Sequence, residues 1–168
     1  VELMIEKIQK LPVATQCALN LGACIGNTFE LKTLALICGQ SLPLLVRDLW
    51  PALNDELLVA RGDAHKLLKV MDADNTVEFN EPIFFHHDRI QQAAYEIISE
   101  GERQAAHLKI GRTLFKNLST DDIEDALFAI VGQFNDGLNL IDAADEKLEL
   151  AKLNLRAAKK AKNATAYG

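Results

Sequence analysis

From Leu57 to Phe85 the sequence stops repeating at helical spacing, and that interruption limits the folds open to the chain. Upstream, apolar residues recur three or four apart: Ile5, Ile8 and Leu11, then Ala18, Leu19 and Ala23. Inside the interruption, Leu57-Leu58-Val59-Ala60, Val77-Glu78-Phe79 and Ile83-Phe84-Phe85 are strand-like. Residues 61–76 are polar, contain Met71-Asp72-Ala73-Asp74-Asn75-Thr76, and read as a loop. Short helices followed by a β-hairpin describe a winged helix. The fold class is therefore mainly α, with a winged-helix-like half over 1–86 and an α-helical half over 87–168.

Local signals set the expected element ends. Leu3 to Leu11 is a first helix that Pro12 ends, and Pro12 can open the next over Thr15 to Ile25. Gly26-Asn27 closes that helix. Asn27 with Glu30 introduces a third over Leu31 to Cys38. Leu44 to Leu53 is a fourth, which Pro51 should kink or end early. From Asp88 the pattern is helical to the end. Asp88 and Gln91 form a capping-box pair, as do Ser99 and Glu102. Ser119 and Asp122 mark another start before Ile123 to Phe134, Gly137 ends that helix, and Asp142 starts the last. Short connections imply antiparallel helix pairs, and faces such as Ala151, Ala157, Ala158 and Ala161 allow close packing of the tetratricopeptide type.

Composition excludes several functions. The 168 residues are 49% hydrophobic and 25% charged, which reads as soluble and globular. The net charge of −6 disfavours nucleic acid as a partner, since phosphate contacts need clustered Lys and Arg. The helix at 44–53 would be the reading helix of a DNA-binding winged helix, yet its only base is Arg47. No apolar run approaches the ~20 residues that span a bilayer, so no membrane partner is expected. Cys17, Cys24 and Cys38 lie in apolar surroundings and read as reduced core thiols of a cytoplasmic protein. The chain begins and stops without terminating signals and reads as a piece of a larger protein.

No phosphate loop, Gly-x-Ser-x-Gly or His-Glu-x-x-His occurs, so no catalytic residue is assigned. Neither a metal nor a cofactor is expected in the fragment. Asp72 to Thr76 has the acid spacing of a calcium loop but lacks its Gly and distal Glu. His86 and His87 are adjacent, and strand neighbours point to opposite faces, which works against a shared metal. Asp88 would cap the following helix, with Gln91 as its capping-box partner. His87 would lie at the helix mouth, where free N–H groups suit phosphate; capping and packing alone would also explain the site.

The stretch FFHHDRIQQAAYEIISEGERQAAHLKIGRTL, residues 84–114, resembles a segment of large signalling ATPases of the STAND class. In these a serine/threonine-kinase-like domain precedes the ATPase, and helical repeats, a GAF domain and a histidine kinase follow. KIQKLPVATQCALNLGACIGNTFELKTLALI, residues 7–37, is similar to the stretch after their ATPase core. LNLRAAKKAKNATAY, residues 153–167, is similar to the start of their tetratricopeptide-like region. The resemblance covers roughly residues 5–167. It implies a cytoplasmic, non-catalytic segment of a two-component sensor. Its partners would be the upstream ATPase core and the downstream repeats of the same chain, with ADP or ATP bound in the parent. In the wider class a Met-His-Asp motif follows the winged-helix hairpin, and its His contacts the β-phosphate of ADP in the closed state. His87-Asp88 matches His-Asp, with His86 in place of Met, which implies nucleotide sensing by His87. The alternative is an interaction scaffold of a transcription regulator without nucleotide contact.

Overall fold

Pro12 separates the first two helices, α1 (Glu2–Gln9) and α2 (Val13–Ile25), by standing as the N-cap of the second. In the computed structural model, which describes residues 1–61, 67 and 82–166, α2 ends at Gly26. There φ is 150°, a conformation that side chains rarely adopt. After Asn27, Thr28–Glu30 form strand β1, and α3 (Leu31–Cys38) follows directly. The expected Asn27–Glu30 capping box is thus not formed. Glu30 is the N-cap of α3, and its side chain makes no cap bond. Gly39 ends α3 in the left-handed region at φ 72°.

Helix α4 (Leu42–Asn54) runs through Pro51 and past it, contrary to an early stop. Strands β2 (Leu58–Ala60) and β3 (Pro82–Phe85) complete an antiparallel sheet in the order β1-β3-β2. Phe29 pairs with Ile83, and Val59 with Phe84. Of the expected loop over 61–76 only Arg61 and Leu67 lie among the described residues, and Leu67 is helical and buried in the first core rather than part of a loop. The expected strand at Val77 to Phe79 lies outside them. Helix α5 (Asp88–Ile97) then packs against α1 and α2.

The chain divides into two compact units, Val1–Ser99 and Glu100–Gly168. Helix α5 therefore belongs with the first unit, and the division falls after Ser99 rather than after His86. The first core gathers Leu19, Leu34, Leu45, Leu49, Ile83 and Phe85, each nearly inaccessible to water. Phe85 meets Phe29 edge to face at 5.9 Å between centroids. Burial of a side chain this size contributes about 1.5–3 kcal/mol. Tyr95 packs against this core partly buried. Cys17 is exposed, so it is not a core thiol.

The second unit comprises α6 (Glu100–Asn117), α7 (Thr120–Asp125), α8 (Leu127–Asp136), a 3-10 turn (Leu138–Leu140) and α9 (Ala144–Ala166). Ser119 caps α7 as its spacing implies: its Oγ accepts from the Asp122 N–H at 3.2 Å and donates to the Asp122 carboxylate at 2.6 Å. The single helix expected from Ile123 to Phe134 is split at Ala126, whose ψ is 6°. Helix α8 packs on both α6 and α9. Gly137 permits the close approach to α6: a Cβ there would lie 2.7 Å from the Leu108 Cβ and 2.9 Å from the Gln104 carbonyl oxygen. Asn135 and Asn154 exchange two side-chain hydrogen bonds of 3.1 Å between α8 and α9.

Candidate functional site

Strand β3 ends at Phe85, and the next residue anchors the turn into α5. The His86 N–H donates to the Leu57 carbonyl at 3.0 Å. Its ring Nδ1–H donates to the Glu56 carbonyl at 2.9 Å, because a carbonyl can only accept. His87 is extended, at φ −144° and ψ 146°, and its carbonyl accepts from the Ile90 N–H at 2.8 Å. His87 is therefore the N-cap, and its side chain makes no cap bond. Asp88 is the first helical residue rather than the cap. The sequence pairing of Asp88 with Gln91 fails for this reason: the helix opens one residue earlier, and Gln91 has another task.

That task is to fasten α5. The Gln91 Nε2 donates to the Ala23 carbonyl at 2.9 Å. With its amide oriented to donate, Asn20 reaches the Ala94 carbonyl at 3.0 Å. Side chains from both helices thus hold α5 on α2 and fix where its N-terminus points. With the Ile90 N–H taken by the His87 carbonyl, the Asp88 and Arg89 N–H groups are the ones that precede any intrahelical acceptor at the helix mouth.

The His86 and His87 rings are stacked, 4.6 Å between centroids and 13° between planes. The expectation of opposite faces is wrong here, because the strand has ended and both residues lie in the turn. The pair borders a cleft of about 360 Å³ lined also by Lys7, Asp55, Glu56 and Arg89. The Lys7 Nζ donates to the Asp55 carbonyl at 2.9 Å, which ties α1 to the end of α4.

Glu56 holds an unusual conformation, with φ at 55°. Its N–H bonds the Leu53 carbonyl at 3.1 Å, and the Leu57 N–H bonds the Ala52 carbonyl at 2.9 Å. This is a Schellman ending of α4, with glutamate where glycine is usual. The left-handed region costs a non-glycine residue roughly 1–2 kcal/mol.

Chemically the cleft combines two imidazoles and two cations with a helix mouth, which suits an anion. Asp55, Glu56 and Asp88 oppose it, Asp88 by occupying the positive end of the helix dipole. Among the described residues no group of three or more His, Cys, Asp or Glu is placed to hold a metal ion. The sequence reading singled out His87, Asp88 and Gln91. It missed Lys7, Glu56 and Arg89, which reach the cleft from elements distant in sequence or from the far side of the cap. The one local signal was Asn54-Asp55-Glu56, a polar break between helix and strand.

No family model matches the sequence, and no solved structure matches it. The chain is 30% identical, over 206 aligned residues, to hybrid signal transduction histidine kinase G of Dictyostelium discoideum. The chain is similar to a segment of a signalling protein. The alignment takes in 99% of this chain and spans 6% of the length of that kinase. The match thus runs through both units, the cleft included. Among the described residues, no helix is long and apolar enough to cross a membrane.

Proposed function

We propose that the chain is a non-catalytic regulatory segment of a large cytoplasmic signal-transduction protein, a STAND-class ATPase and sensor kinase. It would couple the nucleotide state of an upstream ATPase core to downstream helical repeats. The observation that carries this reading is the similarity to a hybrid histidine kinase along 99% of the chain. Among the described elements, the order helix, strand, helix, helix, strand, strand from α2 to β3, with the strands arranged β1-β3-β2, supports a winged helix. The close antiparallel contacts of the second unit, with Gly137 against Leu108, support tetratricopeptide-like pairing.

The two histidines have separate roles in this reading. His86 is an anchor, held by its bond to Glu56. His87 is exposed at the mouth of α5, on the cleft wall, with its ring uncommitted to the cap. It would contact the β-phosphate of ADP supplied by the ATPase core and so favour the closed state. A ligand shifts such an equilibrium only through differential contacts, and this would be one.

ADP binding to the full-length protein tests the reading. A hydrogen bond to a charged group is worth about 1.5–3 kcal/mol. His87→Ala should therefore weaken ADP binding by about ten-fold or more. His86→Ala should give a smaller loss, through the released stack. Equal ADP affinity in the wild type and both variants would reject nucleotide sensing and favour an interaction scaffold without nucleotide contact.

A further inference from the structure

Helix α9 uses one face and leaves the opposite one open. Leu150, Leu153 and Ala157 point into the core of the second unit. Leu148 and Leu155, on the other side, are each 57% exposed. Ala151 and Ala158 are exposed between them. The spacing 148, 151, 155, 158 is that of a coiled-coil seam, and alternate alanines let a second helix approach closely.

The charges along α9 are divided. Acids outnumber bases at its start, where Asp145 and Glu149 flank Lys147, and Lys159 and Lys162 stand towards its end, all exposed. The inner flanks are matched within the unit. Arg112 forms a two-pronged bond with Glu146, at 2.7 Å for each prong, and Arg156 pairs with Glu124. The outer charges carry no such match among the described residues.

We propose that this open face pairs with α9 of a second copy of the chain, antiparallel. In that arrangement Leu148 sits against the second copy's Ala158, and Ala151 against its Leu155. Asp145 then faces Lys159 and Lys162 of the other copy, and the reverse pair forms by symmetry. A parallel pair would set acid against acid and base against base, so the charges select the orientation. Lys152 near the symmetry axis and Lys147 opposite Lys159 of the second copy are repulsive contacts, which their long stems relieve by turning the ammonium groups to water. A single helix pair is a small interface beside the ~1,600 Å² of standard complexes, so association should be weak and concentration-dependent.

Sedimentation velocity of the 168-residue chain over a concentration series tests this, with circular dichroism confirming that each variant folds. The wild type should shift from monomer to dimer as concentration rises. Leu155→Glu should stay monomeric. Asp145→Lys and Lys159→Asp should each move the transition to several-fold higher concentration. The double variant Asp145→Lys, Lys159→Asp should return it towards the wild type, since both pairs are restored with signs exchanged. A wild type that stays monomeric throughout would overturn the proposal. So would a dimer indifferent to Leu155→Glu, or a double variant no better than the single ones.

Discussion

Glu56 occupies a backbone position that favours glycine. Replacing it by Gly should stabilise the fold by about 1 kcal/mol, because the left-handed penalty exceeds the entropy cost of a glycine in the unfolded chain. Urea denaturation reads the midpoint, which should rise without a change in slope. The Asp88 position yields a different test. A cap would be restored by Asn, whereas a first-turn carboxylate acts through its charge on the helix dipole. As the first helical residue, Asp88 should lose about 0.3–1 kcal/mol on replacement by either Ala or Asn, and less in high salt. A large loss confined to Asp88→Ala would return it to the cap. The sequence showed that a helix starts here, but it could not separate cap from first turn. Both positions favour Asp, and only the His87 dihedral angles and the Ile90 N–H decide.

Helices α6 and α9 share the two-pronged pair between Arg112 and Glu146, which α8 does not supply. The hydrogen bond from Arg112 holds the Glu146 carboxyl below the usual carboxylate range; burial opposes it, and the positive charge of Arg112 adds a lesser downward pull. A group whose folded pKa is lowered contributes stability above its unfolded pKa. That contribution is lost as pH falls through the folded value. Arg112→Gln should therefore weaken the fold most near neutral pH, and the difference from wild type should vanish in acid. Chemical denaturation from neutral pH down through the carboxylate range reads this directly. A difference that persists at the lowest pH would show that Arg112 acts by packing. The helices themselves were legible, since α3 follows its apolar spacing from Leu31 to Cys38. Strand β1 was not: Thr28-Phe29-Glu30 has only one apolar residue, and its partner is the distant strand Pro82–Phe85. The break at Ala126 was equally hidden, because its flanking residues keep helical spacing.

At the scale of the whole chain, charge and surface agree. The net charge is −6, and α4 turns Leu44, Arg47 and Asn54 outward. Duplex DNA should bind no better than it does to other acidic proteins. Titration at physiological salt reads this, and sequence-specific binding near ~10⁻⁸ M would make α4 a reading helix after all. Fold class was open to sequence reading because periodicity changes sharply at Leu57 and again after Phe85. The boundary between units was not. Helix α5 has the spacing of the helices after it, but Ile90, Ala93 and Ala94 bury against the first unit. Burial partners, unlike periodicity, are set by elements remote in sequence. The cleft was half legible for the same reason: His87 sits on the element that the motif marks, while Lys7 and Glu56 arrive from elsewhere.

The strand order has a consequence for how the chain is made. Strand β1 lies beside β3, not beside β2, so Thr28 waits for Phe84 and Leu58 for Phe85. During synthesis, β1 and β2 leave the ribosome with no partner, and only the arrival of Pro82 to Phe85 lets either become part of a sheet. The helices α1 to α4 can associate before that through local contacts, and the sheet closes later. Phe29 is therefore without its edge-to-face Phe85 contact in the nascent chain until that last strand emerges.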